Sequence, residues 1–176
     1  MTSTLTALKR SLEHLSADEL SGLCLRMAKL KAENKEFLAY LLNDADDPVF
    51  YATSLKPSIS EMLENGAPTR YLFVRLLRKS NRIISRYARF TGNKQGELEL
   101  ILHQIQCFHN VYRFEWKSAA TARFVFKALR KSDNLIMKLH EELRADYQPQ
   151  LAELLDLSFK RLGREYFDEL PMQSLK

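Results

Sequence analysis

Residues 69–92 read TRYLFVRLLRKSNRIISRYARFTG, and this stretch decides the fold class. Apolar residues recur in it at intervals of three and four, the spacing that places side chains on one face of an α-helix. Pro68 precedes the stretch, and Gly92 closes it in the left-handed position at which helices often stop. The pattern therefore predicts a long amphipathic helix from Thr69 to Phe90.

Helix boundaries before this stretch follow from capping chemistry. Ser16 and Glu19 have the S-x-x-E spacing of a capping box, which begins a helix. Asp47 is predicted to cap the next long helix, with Pro48 as its first residue. The helices predicted in this part cover residues 5–15, residues 16–42 with a bend near Gly22 or Asn34, and residues 48–64 with a kink or break at Pro57 and a stop at Asn65 and Gly66.

Three further helices are predicted on the C-terminal side. Ser118 is a suitable N-cap for one of them, and Pro149 is expected to open another that Gly163 ends. No strand pattern competes with these helices. They cover residues 95–112, 119–144 and 149–163, and the last dozen residues are expected to be short and irregular.

Composition supports one globular, all-α domain. The chain has 176 residues, of which 45% are apolar and 28% charged, and its five glycines and five prolines are too few for the turns of an all-β fold. We therefore expect a single-domain bundle of about seven helices over residues 1–176. Its parts are N-terminal helices over 1–65, a basic three-helix unit over 66–144, and a C-terminal helix and tail over 145–176.

The helix predicted over residues 95–112 carries two apolar strips, unlike its neighbours. One strip runs from Leu98 to Tyr112, and the other consists of Leu100, Cys107 and Val111. A helix that is apolar on two sides can be covered on both. We therefore expect it to be the middle member of a central three-helix antiparallel unit, with the two basic helices parallel to each other on either side.

The sequence predicts a soluble, cytoplasmic protein. The N-terminal residues lack the pattern of a signal peptide, and no apolar run approaches the length of a membrane span. Cys24 and Cys107 lie far apart inside apolar helical patterns, so both are predicted to be buried, reduced thiols.

Basic residues cluster in the middle of the chain, and no acidic residue occurs between Glu64 and Glu97. At 100° per residue, the basic side chains of each outer helix fall within about 100° of arc. The first arc, on the helix over 69–90, consists of Arg75, Arg78, Lys79, Arg82, Arg86 and Arg89. The second arc, on the helix over 119–144, consists of Arg123, Lys127, Arg130, Lys131 and Lys138.

Two interpretations of this charge remain open. Residues 66–139 hold 15 basic and 4 acidic residues, whereas the flanking regions are acidic and reduce the net charge of the chain to +5. In the first interpretation, acidic side chains of the flanks pair with the arcs inside the monomer. In the second, the arcs bind an external anion. An anion would offset the repulsion between clustered like charges, and the guanidinium of arginine is well shaped to bind phosphate.

Catalytic and metal-binding patterns are weak. No G-x-S-x-G, H-E-x-x-H, paired C-x-x-C or kinase-like constellation occurs, so no catalytic residue is predicted and we do not expect an enzyme. Glu99, His103 and Cys107 share a helix face, but no fourth ligand has a supporting spacing. We therefore predict neither a metal nor a cofactor, and no small-molecule substrate is indicated.

Two segments carry a resemblance to known proteins. They are LSADELSGLCLRMAKLKAENKEFLAYLL, at residues 15–42, and RKSNRIISRYARFTGNKQGELELILH, at residues 78–103. Together they resemble a family of uncharacterised all-helical bacterial proteins. The resemblance implies an all-helical fold and no activity, cofactor or catalytic residue.

The charge layout leads to the functional prediction. We expect a non-enzymatic helical binding module whose arginine-rich face engages a polyanion, such as nucleic acid, or an acidic protein surface. The predicted contacts are those of the first arc together with Arg123, Lys127, Arg130 and Lys131. The alternative is a scaffold or homo-oligomeric interaction protein with no nucleic-acid role, in which an apolar strip such as Leu100, Cys107 and Val111 is buried against another subunit.

Overall fold

A computed structural model describes residues 4–65 and 69–163, apart from the side chain of Phe114. These residues form eight α-helices, one turn of 3-10 helix at Phe114–Trp116, and no strand, so the all-α prediction is confirmed. The helices number one more than the seven or so expected. They are α1 (Leu5–Leu12), α2 (Ala17–Leu30), α3 (Ala32–Asn43), α4 (Pro48–Glu64), α5 (Arg70–Thr91), α6 (Lys94–Val111), α7 (Ala119–Ile136) and α8 (Glu141–Leu162).

The predicted caps are confirmed. Ser16 and Glu19 form a capping box at the start of α2, and the carboxylate of Asp47 accepts the backbone N–H of Phe50 with Pro48 as the first residue of α4. Gly92 ends α5 with φ of 63°, in the left-handed region that favours glycine. The remaining predicted ends, Ser118 before α7 and Gly163 after α8, also occur.

One break in the N-terminal helices was misplaced. The helix expected over residues 16–42 divides at Lys31, whose backbone is extended, into α2 and α3. The side-chain amide of Asn34 donates to the backbone oxygen of Met27 and so satisfies a carbonyl at the end of α2. The predicted bend near Asn34 was therefore close to the break, whereas Gly22 lies inside α2.

Neither internal proline divides a helix, so the break that was one alternative at Pro57 does not occur and the helix start predicted at Pro149 is wrong. α4 continues through Pro57, and α8 continues through Pro149 instead of beginning there. Each proline removes one backbone donor, which leaves the carbonyl four residues earlier without its usual partner. Those carbonyls belong to Thr53 and Ala145, which are exposed residues, so water can hydrate both groups.

The helix expected over residues 119–144 is also shorter than predicted. α7 ends at Ile136, and a turn of four residues leads into α8. Arg144 stabilises this turn, since its guanidinium donates to the backbone oxygens of Leu139 and Met137. Lys138, which the sequence assigned to the second arc, lies in this turn rather than in α7. The predicted irregular tail after Gly163 lies outside the described residues.

The chain divides into two compact units, Met1–Asp46 and Asp47–Lys176. In the first unit α2 packs against α3, and Tyr40 is the one buried side chain among residues 4–46. In the second unit α6 contacts α4, α5, α7 and α8, and its most extensive contact is with α4. α4 therefore belongs to the larger unit, although the sequence grouped it with the N-terminal helices. That the chain forms one domain stays a prediction.

The core of the larger unit surrounds α6. The ring of Phe73 on α5 lies 5.5 Å from that of Phe108 on α6 and 4.6 Å from that of Trp116, measured between centroids. Leu100 and Cys107 are buried inside this unit, so the second apolar strip of α6 is not available as a subunit interface. Cys107 is buried as predicted, but Cys24 is exposed on α2, which has no buried residue. Among the described residues, no helix is both long and apolar enough to cross a membrane.

Candidate functional site

The basic face of α5 is held outward by the packing of its opposite face. One side of α5 is anchored in the core by apolar residues that are buried at successive intervals of four, seven and three residues. These residues are Phe73, Leu77, Ile84 and Tyr87. The side chains on the opposite face therefore point away from the core. Five members of the first arc are exposed, namely Arg75, Arg78, Lys79, Arg82 and Arg89, and the first four of them lie near the start of the helix.

These four cations share a groove with the beginning of α7. The groove has a volume of about 930 Å³ and lies between the first half of α5 and the first turn of α7. Ser118 and Ala120 contribute the α7 side, and no Asp or Glu is among the described residues that line it. Its cationic lining consists of Arg70, Arg75, Arg78, Lys79 and Arg82.

Two helix N-termini add positive potential to the groove. The hydroxyl of Thr69 accepts the backbone N–H of Leu72 at 3.3 Å, and that of Ser118 accepts the N–H of Thr121 at 3.3 Å. Neither α5 nor α7 has an acidic residue in its first turn. Since a helix N-terminus carries a partial positive charge, both helix ends favour an anion in the groove.

A smaller cleft lies beside the groove and is bordered by α5, α6 and α7. It has a volume of about 170 Å³ and is lined by Asn81 of α5, Ile101 of α6 and a segment of α7 that includes Lys127 and Lys131. Asn81 is next to Arg82 of the groove, so the same part of α5 borders both the groove and the cleft. The central three-helix antiparallel unit, with α5 and α7 parallel, stays a prediction.

The predicted binding residues differ in their surroundings. Arg123, Lys127 and Arg130 are exposed on α7. Lys131 instead forms an ion pair with Glu97 of α6 at 2.6 Å. The Glu97 side chain is only 7% exposed, so Lys131 neutralises a nearly buried carboxylate. Arg86 and Arg89 lie beyond the groove and make interactions of their own within the protein.

Internal pairing explains little of the groove's charge. Within residues 4–65 and 69–163, no carboxylate pairs with any of the five cations that line it. The salt bridges of this part of the chain include those that join Lys56 to Glu99, Lys131 to Glu97 and Lys160 to Asp156, and none of these involves a groove cation. The binding roles of the predicted residues stay predictions, but the charge they require is present.

Two polar residues of α5 that line the groove, Arg70 and Tyr71, were not among the predicted binding residues. Arg70 and Tyr71 begin α5, and both line the groove beside the predicted arginines. Tyr71 precedes Arg75, Arg78 and Arg82 by four, seven and eleven residues, so it lies on the same helix face. That spacing was readable from the sequence, but only the basic residues of this helix face were predicted to bind.

A polar cluster joins α4 to α6 on another side of the larger unit. The hydroxyl of Ser60 lies 2.8 Å from Nε2 of His103 and 3.4 Å from Sγ of Cys107. Burial lowers the pKa of His103 and raises the pKa of Cys107. Both changes favour the neutral forms, which makes the thiol a weaker nucleophile at neutral pH. The cluster is explained by the packing of two helices.

Glu99, which shares a helix face with His103 and Cys107, is directed to other partners. It accepts hydrogen bonds from Nζ of Lys56 and from the hydroxyl of Tyr147, both at 2.8 Å. Burial, followed by the hydrogen bond to Glu99, raises the pKa of Tyr147 to about 12. No group of three or more His, Cys, Asp or Glu residues is suitably placed for a metal ion in the described part of the chain.

A buried histidine joins α6 to α8. Nε2 of His109 lies 2.8 Å from the hydroxyl of Ser158, and its Nδ1 is buried without a hydrogen-bond partner among the described residues. Burial, helped by the charge of Arg161, lowers the pKa of His109 to about 4. The ring is therefore neutral at physiological pH, and it contributes to stability rather than to the basic surface.

The fold and the groove together define an all-helical protein with a cationic groove between two of its helices. Comparison with protein families, with curated proteins and with solved structures finds no match to this chain.

Proposed function

We propose that this chain is a non-enzymatic binding module that engages a polyanion through the groove between α5 and α7. The observation that carries the proposal is a groove lined by five cationic side chains, with no acidic side chain among its described lining residues. Holding five like charges together costs free energy by mutual repulsion. An anionic ligand removes that cost, and four of the five cations are arginines, whose planar guanidinium suits phosphate oxygens.

The three helices α5, α6 and α7 form the supporting unit in this proposal. α6 contacts both neighbours, and residues from the starts of α5 and α7 line the groove, as expected if the two helices run in the same direction. Asn81 and Lys127 line the smaller cleft, and Arg78 of the groove lies only three residues before Asn81 on α5. We infer from this proximity that the groove and the outer face of α7 form one continuous basic surface, which suits an extended ligand better than a single ion.

Nucleic acid is the polyanion that this surface fits best. Phosphate contacts made by arginine and by helix N-termini fix a nucleic-acid backbone without reading its bases. Such binding releases counterions from the nucleic acid and is therefore weakened strongly by salt. An acidic protein surface has the same charge but carries fewer and less regularly spaced anions than a phosphate backbone.

The test compares two triple variants with equal change of charge. Replacing Arg75, Arg78 and Arg82 by alanine removes three groove cations, whereas replacing Arg10, Lys29 and Lys35 removes three exposed cations of α1, α2 and α3. We expect the groove variant to bind a fluorescent oligonucleotide at least tenfold more weakly than the wild type, and the control to bind within about threefold of it. Equal losses would mean that net charge alone attracts the ligand, and absent wild-type binding would reject the proposal.

A second candidate function is self-association through the N-terminal unit. Large apolar side chains of α1, α2 and α3 are exposed, and the three on α1 are spaced at intervals of three and four residues. Exposed apolar surface of this kind is typical of subunit interfaces. The residues concerned are Leu5, Leu8, Leu12, Leu23, Leu25, Met27, Leu30, Phe37, Leu41 and Leu42.

Sedimentation equilibrium distinguishes the self-association candidate. A chain that associates through α1 is expected to have a mass that rises with concentration, and Leu5→Glu with Leu8→Glu is expected to restore the monomer. A wild-type chain that stays monomeric at high micromolar concentration would remove this candidate. The binding assay above does not depend on that result.

A further inference from the structure

Tyr71 is an exposed aromatic residue within the basic groove. It is 76% exposed and lines the groove together with the five cations. It belongs to the same face of α5 as Arg75, Arg78 and Arg82, because its spacing from them is four, seven and eleven residues. The ring therefore stands at one end of a row of guanidinium groups.

The groove is far larger than one phosphate. Its volume of about 930 Å³ lies near the upper end of the range typical of small-molecule sites, so an inorganic anion would fill little of it. The row from Tyr71 to Arg82 extends about 16 Å at 1.5 Å per residue. Both dimensions suit a chain of several linked units that offers an anion and a flat, stackable group at repeated intervals.

We propose that the groove binds single-stranded nucleic acid, with Tyr71 stacking on a base while Arg75, Arg78 and Arg82 contact the phosphates. An aromatic platform beside a positively charged groove is the combination by which proteins hold unpaired strands, since every base has a face that can stack. A duplex buries its base faces inside the helix and cannot use the ring. The proposal rests on the proposed polyanion function and adds to it the preference for unpaired strands.

Phe50 provides a matched control for the aromatic contact. It is 65% exposed on α4, so it resembles Tyr71 in size and exposure, but it lines neither the groove nor the smaller cleft. Replacing either residue by alanine removes an exposed ring with no change of charge. A difference between the two variants therefore reports the position of the ring rather than a general loss of apolar surface.

The experiment measures binding of three probes to the wild type, Tyr71→Ala, Tyr71→Phe and Phe50→Ala. The probes are a single-stranded oligothymidylate of about 15 nucleotides, a duplex of the same length, and heparin, which has charge but no bases. We expect Tyr71→Ala to weaken single-strand binding about tenfold and to change duplex and heparin binding less than twofold. Tyr71→Phe keeps the ring and is expected to bind as the wild type does, as is Phe50→Ala.

The results separate this inference from the proposed function. Three results would overturn the stacking role of Tyr71. The Tyr71→Ala variant could bind the single strand as tightly as the wild type, or it could lose affinity equally for all three probes. The third such result is a Tyr71→Phe variant that binds the single strand as weakly as Tyr71→Ala does. Wild-type binding to heparin and duplex would then still support polyanion binding. Failure of the wild type to bind any probe would reject both.

Discussion

Replacement of Gly96 by alanine tests the packing that holds α5 in place. A Cβ atom at this position of α6 would lie 1.9 Å from the hydroxyl oxygen of Tyr87 on α5, 2.6 Å from its Cζ and 3.0 Å from the Cβ of Ala52 on α4. The first two distances are far below any van der Waals contact. Tyr87 must therefore move, and its hydroxyl donates a 2.8 Å hydrogen bond to the backbone oxygen of Pro48.

The cost follows from three contributions. Overpacking of a tight core typically costs about 1–3 kcal/mol. Losing the hydrogen bond to Pro48 costs about 1 kcal/mol, and the better helix propensity of alanine returns up to about 1 kcal/mol. We therefore expect the Gly96→Ala variant to be about 2 kcal/mol less stable than the wild type, with the damage centred where α4, α5 and α6 meet.

Urea unfolding followed by fluorescence provides the assay, because Trp116 is the one tryptophan of the chain and is buried in the larger unit. The same substitution at Gly22 in α2 meets no atom within 4 Å, so it is expected to stabilise its helix by up to about 1 kcal/mol, measured by circular dichroism. Tyr87→Phe removes the closest atom and is expected to reduce the cost of Gly96→Ala. A Gly96→Ala variant as stable as the wild type would refute the packing around Gly96.

Three further predictions concern pH, a buried charge and a helix cap. The pKa of His109 is lowered to about 4, so the unfolded chain binds a proton at a higher pH than the folded chain does. The contribution of His109 to the free energy of unfolding is therefore complete above about pH 6.5, and urea unfolding should show a loss of about 2 kcal/mol from pH 7 to pH 5. His109→Gln should reduce that loss. Lys131→Ala leaves the carboxylate of Glu97 unpaired and should cost about 1–2 kcal/mol, whereas Lys127→Ala should cost nothing measurable; equal effects would contradict the pairing. Ser118→Ala removes the cap of α7 and should cost about 1 kcal/mol in thermal unfolding, and Ser118→Asp should restore it.

Local chemistry made the helix ends predictable. The caps at Ser16, Asp47 and Ser118 and the stop at Gly92 each depend on a side chain and its near neighbours, so the sequence alone contains the cause. The effect of the prolines was less predictable. Whether the helix breaks at Pro57 depends in part on the solvent exposure of the carbonyl that the proline leaves unpaired, and exposure is a property of the whole fold.

The candidate site was predictable in its charge and not in its shape. The periodicity of Arg75, Arg78 and Arg82 gave one basic face of α5. The groove depends in addition on α7, whose first turn reaches that face only through the packing of both helices on α6. For the same reason the sequence could not show that Lys131, alone among its neighbours Lys127 and Arg130, forms an ion pair with the nearly buried Glu97.

The salt dependence of single-strand binding reports how many phosphates the groove cations neutralise. If the five groove cations contact phosphates, a plot of log K against log salt between about 50 and 200 mM should have a slope of about −3 to −4 for the wild type. Removing Arg75, Arg78 and Arg82 should make that slope shallower by about 2, while removing Arg10, Lys29 and Lys35 should leave it unchanged. A slope near zero for the wild type, or the same slope for all three proteins, would contradict the account.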